Sequence, residues 1–195
     1  MSPEPRRPDL GAELIARAAA GRSHWRRLTR LQLPDQQIGV GRHTDHANAT
    51  VLGRIIADHG WPDAVLVGED GATAAWQIAL HADTQREIQR ISARFLYSAV
   101  QQQRASLRQW AHLHDRCLLN SDLPQLYGTQ YILGPHGAER RSVRELSKLD
   151  ERRAEVGLPP ADEALQRLRR RLAMEPRTDE HESGNASAIE LADAA

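Results

Sequence analysis

Apolar side chains recur at three- and four-residue steps through most of this sequence, the spacing of helices that bury one face. Residues 10–20 read as a short helix ended by Gly21. Residues 24–33 read as a second helix, with Trp25, Leu28 and Leu31 on its buried stripe and Pro34 as its stop. Residues 34–45 contain Gly39 and Gly41 and read as a loop. Asp45 then caps a helix over 46–59, whose inner stripe is Val51, Leu52, Ile55 and Ile56, and Gly60 closes it.

The most constrained stretch follows, HGWPDAVLVGEDGATAAWQIALHAD from His59 to Asp83. A Gly-Trp-Pro connection leads to Ala64–Val67, too short to establish a strand, and to a turn between Gly68 and Gly71. A helix starts near Ala72 with Ala75, Trp76, Ala79 and Leu80 on its packed face, and His81 and Asp83 stand at its end or at a bend. Helices are expected over 84–103, with Ile88, Ile91, Phe95 and Ala99/Val100 inward, and over 105–119, with Leu107, Trp110, Leu113 and Cys117/Leu118 inward. Residues 120–124 break the pattern. Residues 126–133 lack helical periodicity and read as extended chain or an irregular pocket wall, ending in a turn at Gly134, Pro135 and Gly137. A helix over 141–156 places Val143, Leu146, Leu149 and Val156 inward, with Gly157 and Leu158 as its terminating cap. A last helix covers 161–172. The expectation is a mainly α fold: a compact multi-helix single domain with irregular loops over 10–173, a disordered lead-in over 1–9 and a disordered acidic tail over 174–195.

Composition narrows the class. At 195 residues one domain is expected, and with only 4% aromatic residues its core must be built mostly from Ala, Leu, Ile and Val. The formal net charge of +0 offers no global attraction to nucleic acid, the arginines of 167–171 read as a solvated helix face, and those of 140–153 carry no recognition motif, so nucleic acid is not an expected partner. The single cysteine, Cys117, excludes an internal disulfide and points to a reducing compartment, the cytoplasm. It lies on an apolar stripe and reads as a core residue. No apolar run is long enough for a membrane span. Gly39 and Gly41 lack the spacing and the Lys-Ser/Thr of a phosphate loop, and HExxH, paired CxxC and calcium-loop patterns are absent. No cofactor and no metal are therefore expected. Nothing in the sequence specifies an oligomeric state.

Several short motifs occur in order: GWP, the VG…GA…AAWQ…HAD stretch, Leu-x-Asp-Arg ending at Arg116, YGTQ from Tyr127 to Gln130, and D-x-RR-x-x-VGLPP from Asp150 to Pro160. Together they resemble an uncharacterised bacterial domain family known only as a domain of unknown function, over roughly Asp45 to Pro160. The resemblance implies a mainly helical bacterial domain and no established activity. The family usually has glutamine just before His-Ala-Asp, where this chain has Leu80.

The candidate chemistry lies where the helical pattern stops. His81 titrates near neutrality, at about 6.5 when unperturbed, and is the expected general acid or base. Asp83 or Asp115 would orient its ring, though each also suits a structural hydrogen-bonding role. Arg116 can hold a carboxylate or phosphate through its two-pronged fork. Tyr127, Thr129 and Gln130 supply neutral donors and acceptors for a binding wall, Asp45 and Asn48 share one side of a helix start, Trp76 packs beside them, and Arg153 is the inward member of its arginine pair. The expected function is binding of a small polar or anionic metabolite, with acid/base chemistry through His81 and Asp115. The alternative is a non-catalytic protein- or metabolite-binding module.

Overall fold

A computed structural model of the chain describes residues 4–28, 35–134, 137–174 and 190–192. Among these it shows seven α-helices and a three-stranded antiparallel sheet. The first helix, α1 (Pro8–Leu28), begins on a proline, whose missing N–H costs nothing in a first turn, followed by Asp9 where the helix dipole favours an anion. It does not end at Gly21. A Cβ at that position would lie 2.5 Å from the Trp25 ring, so this glycine makes room for the indole instead of terminating the helix. Trp25 therefore belongs to α1, while Leu31 and Pro34 of the expected second helix lie outside the described residues. Just ahead of α1, the amides of Arg6 and Arg7 bond to the carbonyls of Val65 and Leu66 at 3.0 and 2.7 Å, tying this part of the lead-in to the domain.

The second helix, α2 (Asp35–His59), runs through the expected loop at Gly39 and Gly41. Two glycines oppose helix formation by about 1 kcal/mol each. Burial of Ala49, Leu52, Ile55 and Ile56 along the same helix outweighs that propensity. Asp45 consequently sits inside α2 and caps nothing.

In α3 (Ala64–Leu80), Asp63 is the cap, accepting the amide of Leu66 at 3.0 Å, so residues 64–67 form a helical turn and not a strand. Gly68, at φ 79° and ψ 165°, kinks α3 in a backbone region that side chains disfavour. The kink replaces the expected turn over Gly68–Gly71 and moves the helix start ahead of Ala72. Beyond it, Gly71 meets Gly11 of α1: a Cβ on Gly11 would stand 2.3 Å from the Val67 carbonyl oxygen.

The fourth and fifth helices are α4 (Arg86–Gln101) and α5 (Leu107–Leu119), the latter capped by Ser106. The buried face of α4 is Gln89, Ser92, Ala93, Leu96 and Ala99, not the expected Ile88, Ile91 and Phe95. Gln89 decides the rotation. Its amide donates to the carbonyls of Ala79 and Leu80 at the end of α3, which turns the isoleucines and Phe95 towards a shallow groove against α2. On α5, Leu113 is buried as expected, while Leu107, Trp110, Cys117 and Leu118 are half-buried; Ala111, His112, Asp115, Arg116 and Leu119 complete the inner face.

Residues 126–129 are irregular, and β1 (Gln130–Gly134) follows. It pairs with β2 (Gly137–Arg140) through Tyr131↔Arg140, and on its other edge with β3 (Glu190–Ala192) through Tyr131↔Leu191. The expected helix over 141–156 is helical only in its second half, α6 (Leu149–Glu155), preceded by a single 3-10 turn at Leu146–Lys148. The first half bridges to Gln125 instead, and Arg152 gathers the carbonyls of Leu126, Arg144 and Glu145, leaving Leu146 exposed. Gly157 and Leu158 cap α6 as the sequence suggests: Leu158 N–H reaches the Arg153 carbonyl at 2.9 Å. The last helix is α7 (Ala161–Met174). Residues 175–189 and 193–195 of the expected acidic tail lie outside the described residues, and Glu190–Ala192 within it is β3.

The main core joins α1 to α5, with Leu14, Leu52, Ile56, Ile78, Leu96 and Leu113 among its most buried members. A smaller core of Tyr131, Ala138 and Leu168 packs the sheet on α7. Among the described residues no helix is long and apolar enough to cross a membrane. The close approach of α1 and α3 predicts that Gly11→Ala lowers stability by about 1–3 kcal/mol, seen as a lower urea midpoint at unchanged slope. Gly39→Ala, with nothing within 4 Å of the added methyl, should raise the midpoint.

Candidate functional site

The polar residues at the helix breaks form two clusters on different sides of α5. The first gathers at the bend between α3 and α4. His81 ends α3, and Asp83 follows two residues later. The bend is held from three directions. The Arg116 guanidinium of α5 grips Asp83 with two N–H groups, Nε reaching Oδ1 at 2.9 Å. Asn120 Nδ2 donates to the same oxygen at 2.7 Å and to Gln89 Oε1 at 2.8 Å, and Gln89 Nε2 donates to Asp83 Oδ1 at 3.2 Å. Gln85 ties the bend to α2 by donating to the His46 carbonyl at 2.6 Å and Thr50 Oγ1 at 2.7 Å.

His81 lies flat on the indole of Trp25 from α1, with ring centroids 3.9 Å apart and planes within 8°. The same indole donates its N–H to Asp45 Oδ1 of α2 at 2.8 Å. This is the only hydrogen bond to the Asp45 carboxyl among the described residues. One turn along α2, buried Asn48 donates to the Arg17 carbonyl at 3.2 Å and so clamps α2 to α1 instead of facing a ligand.

The electrostatics separate the two carboxyls. Burial pushes Asp45 up to about 6; the indole N–H works against that rise and the Asp83 charge adds to it. Burial also opposes the Asp83 charge, but Arg116, Asn120 and the nearby His81 overcome it and hold this carboxyl at about 2. One carboxyl is thus ionised throughout the neutral range while its neighbour exchanges its proton there. Such a split is common at acid/base sites, and structural ion pairs also produce it.

The second cluster surrounds Asp115. Its oxygens accept the amides of Leu126, Tyr127 and Thr129 at 2.8, 3.1 and 3.0 Å and the Thr129 hydroxyl at 2.9 Å. Burial pushes the Asp115 carboxyl up and these four donors work against it. Gln130 and Gln125 exchange side-chain and main-chain bonds, and Gln130 Nε2 also reaches the His112 carbonyl at 3.3 Å. Arg153, fully buried, donates to the carbonyls of Tyr127 and Pro159 at 2.7 Å each. Every described bond of Asp115 goes to this loop, so it is not placed as the orienter of His81. Trp76 belongs to neither cluster; its N–H bonds the Gln109 carbonyl at 2.9 Å and its ring meets His112 edge-on. Tyr127 stands half-buried, edge-on to Trp110 at 6.0 Å.

Of the sequence candidates, the structure therefore brings His81, Asp83, Arg116 and Asp45 together, and gathers Asp115, Tyr127, Thr129, Gln130 and Arg153 separately. Among the members of the first cluster that escaped the sequence reading are Trp25, Gln89 and Asn120. Trp25 looked like core, Gln89 like a solvent-facing residue and Asn120 like a helix breaker. No local spacing links them. Among the described residues no group of three or more His, Cys, Asp or Glu side chains could hold a metal ion. Burial pushes the Cys117 thiol up to about 12, which leaves it protonated and a poor nucleophile near neutrality.

A family model described as "Family of unknown function (DUF6624)" matches residues 8–175, which span α1 to α7 and both clusters. The chain belongs to this family. No curated protein and no solved structure matches it.

The two carboxyls predict opposite pH dependences. The raised value of Asp45 means that the folded protein keeps a proton the unfolded chain releases near pH 4, so stability falls as pH rises from about 4 to about 6. The depressed value of Asp83 contributes stability that is present above about pH 4 and lost as pH falls towards 2. Urea titrations from pH 3 to 7 should therefore show that Asp45→Asn removes the decline between 4 and 6. Asp83→Asn should remove the loss on acidification and lower stability at neutral pH. In the second cluster, Asp115→Asn turns a donor towards amides that need an acceptor. It should cost on the order of 2 kcal/mol and abolish hydrogen-exchange protection at Leu126, Tyr127 and Thr129.

Proposed function

We propose that this domain binds a small polar molecule at the Trp25–Asp45–His81–Asp83 cluster and transfers a proton to or from it. The observation that carries the reading is the pairing of a proton-exchanging carboxyl, Asp45, with His81 on a single indole, beside an ionised carboxylate locked by Arg116. His81 and Asp45 are the proposed acid/base pair, and Asp83 is the fixed charge that favours an imidazolium at His81. Asp115 takes no part in the proton transfer; it builds the neighbouring loop.

The hydrogen-bond inventory also supports a ligand class. The described bonds of Arg116 are committed to Asp83, while Asp45 Oδ2 has no donor among the described residues. The cluster has acceptor capacity left over. A hydroxyl- or amine-bearing ligand suits it better than a carboxylate or phosphate. The half-buried cysteine and the absence of a spanning helix among the described residues fit a reducing, cytoplasmic setting for this activity.

A second reading, a binding module without catalysis, is favoured by the commitment of Asn48, Thr129, Gln130 and Arg153 to bonds within the protein. The two readings share the site and differ in turnover. Polar compounds from a cell extract, screened by ligand-observed NMR against the wild type, Asp45→Asn and His81→Gln, should include at least one bound by the wild type. Each variant should weaken its binding by about tenfold, the effect of one lost charge-assisted hydrogen bond. Conversion of that compound with a rate that depends on a group titrating near pH 6 selects catalysis. Equal binding to all three proteins refutes the site.

A further inference from the structure

We infer that Trp25, seated by Gly21, is the positioning residue of this site: its indole holds His81 on its face and Asp45 at its N–H, and so sets the two proton-bearing groups relative to one another. The inference rests on the proposed site and concerns how its pair is assembled and tuned. Three features of the geometry meet at this one side chain. The N–H to Asp45 Oδ1 bond is 2.8 Å long, the stack on His81 is nearly parallel at 3.9 Å, and the indole is itself buried, with 7% of its surface exposed. Its resting place is specified from below. A Cβ on Gly21, one turn earlier on α1, would stand 2.5 Å from Cζ2 and 2.8 Å from Cε2 of the ring. Any residue larger than glycine at position 21 forces the indole to move, and with it both of its partners.

The indole is suited to more than filling space. An aromatic face attracts a cation, so the stack favours the imidazolium form of His81. An N–H aimed at a carboxyl favours the ionised form of Asp45. At Asp45 this contact acts against burial, which favours the neutral carboxyl. The surrounding charges come from the bend and from α5: Asp83, whose field disfavours a second negative charge at Asp45, and Arg116, which pairs with Asp83. Trp25 is thus the described contact that keeps a half-buried carboxyl able to exchange its proton near neutrality beside an imidazole. A residue that only filled the core would leave those protonations unchanged when replaced by another ring.

NMR pH titrations of the Asp45 carboxyl and the His81 ring test this in the ligand-free 195-residue chain. Trp25→Phe keeps a ring and removes the N–H; it should raise the proton affinity of Asp45 by roughly three- to tenfold, the worth of one hydrogen bond, and move His81 much less. Gly21→Ala displaces the indole and should shift both groups, Asp45 upward and His81 downward. Gly39→Ala, in open space on α2, should shift neither. Wild-type titrations in Trp25→Phe, in a protein whose amide spectrum shows an intact fold, overturn the inference. If Gly21→Ala does not fold, Trp25→Phe still decides. No ligand enters these measurements, so a protein that shows the shifts and binds no extract compound refutes the proposed function alone.

Discussion

Asp115 and Arg116 are consecutive residues of α5, and both are buried. Consecutive positions on a helix point about 100° apart, so one partner cannot serve both. An uncompensated buried charge is worth several kcal/mol of instability, enough to consume much of a domain's marginal stability. Each charge therefore requires its own complement from a different part of the chain. Arg116 takes Asp83 from the bend before α4. Asp115 takes the amides and hydroxyl of the loop before β1. The helical layer and the sheet layer are both anchored to α5 by this requirement.

The position of His81 follows from it. Once Asp83 is held by Arg116, Asn120 and Gln89, and Gln85 by α2, the bend has little freedom. The imidazole two residues before Asp83 then comes to rest on Trp25. The ordered bend is a support for the proposed chemistry, and Asp83 contributes as a fixed charge. On the other side of α5, Asp115, Thr129, Gln130 and Arg153 form a network of equal polarity in which Asp115, Gln130 and Arg153 satisfy main-chain groups where regular structure is interrupted and the Thr129 hydroxyl bonds Asp115. Polarity alone does not distinguish a site from a support. The distinction lies in capacity: the second network spends the Asp115 carboxyl on four donors, whereas among the described residues Asp45 in the first has one donor and an oxygen without one.

The repeating apolar positions were enough to read a mainly helical domain and the ends of α2 and α6 at Gly60 and Gly157. They misplaced the glycines inside helices. Gly21, Gly39 and Gly41 look like breaks because their local propensity disfavours helix; close packing under Trp25 and burial of the α2 stripe override that preference. They also chose the wrong face of α4. Ile88, Ile91 and Phe95 make the better apolar stripe, but the carbonyls at the end of α3 need a donor, and Gln89 supplies it from about 100° round the helix. The helix expected over 141–156 failed in its first half for a similar reason, because its main chain pairs with Gln125 and with Arg152.

By itself the sequence determined which segments can be helical and where polar side chains interrupt the helical pattern, since those follow from spacing and side-chain type within a few turns. It placed His81 and Asp83 at a bend and Asp115 and Arg116 on a helix. Only the tertiary structure decided the pairings. Asp83 rather than Asp115 stands with His81, Asp45 joins them from the second helix, and Trp25 connects both groups from the first helix. The reason is physical: buried charges and ring stacks are satisfied by whatever the packing brings within about 3–4 Å, and that neighbourhood has no counterpart in sequence spacing.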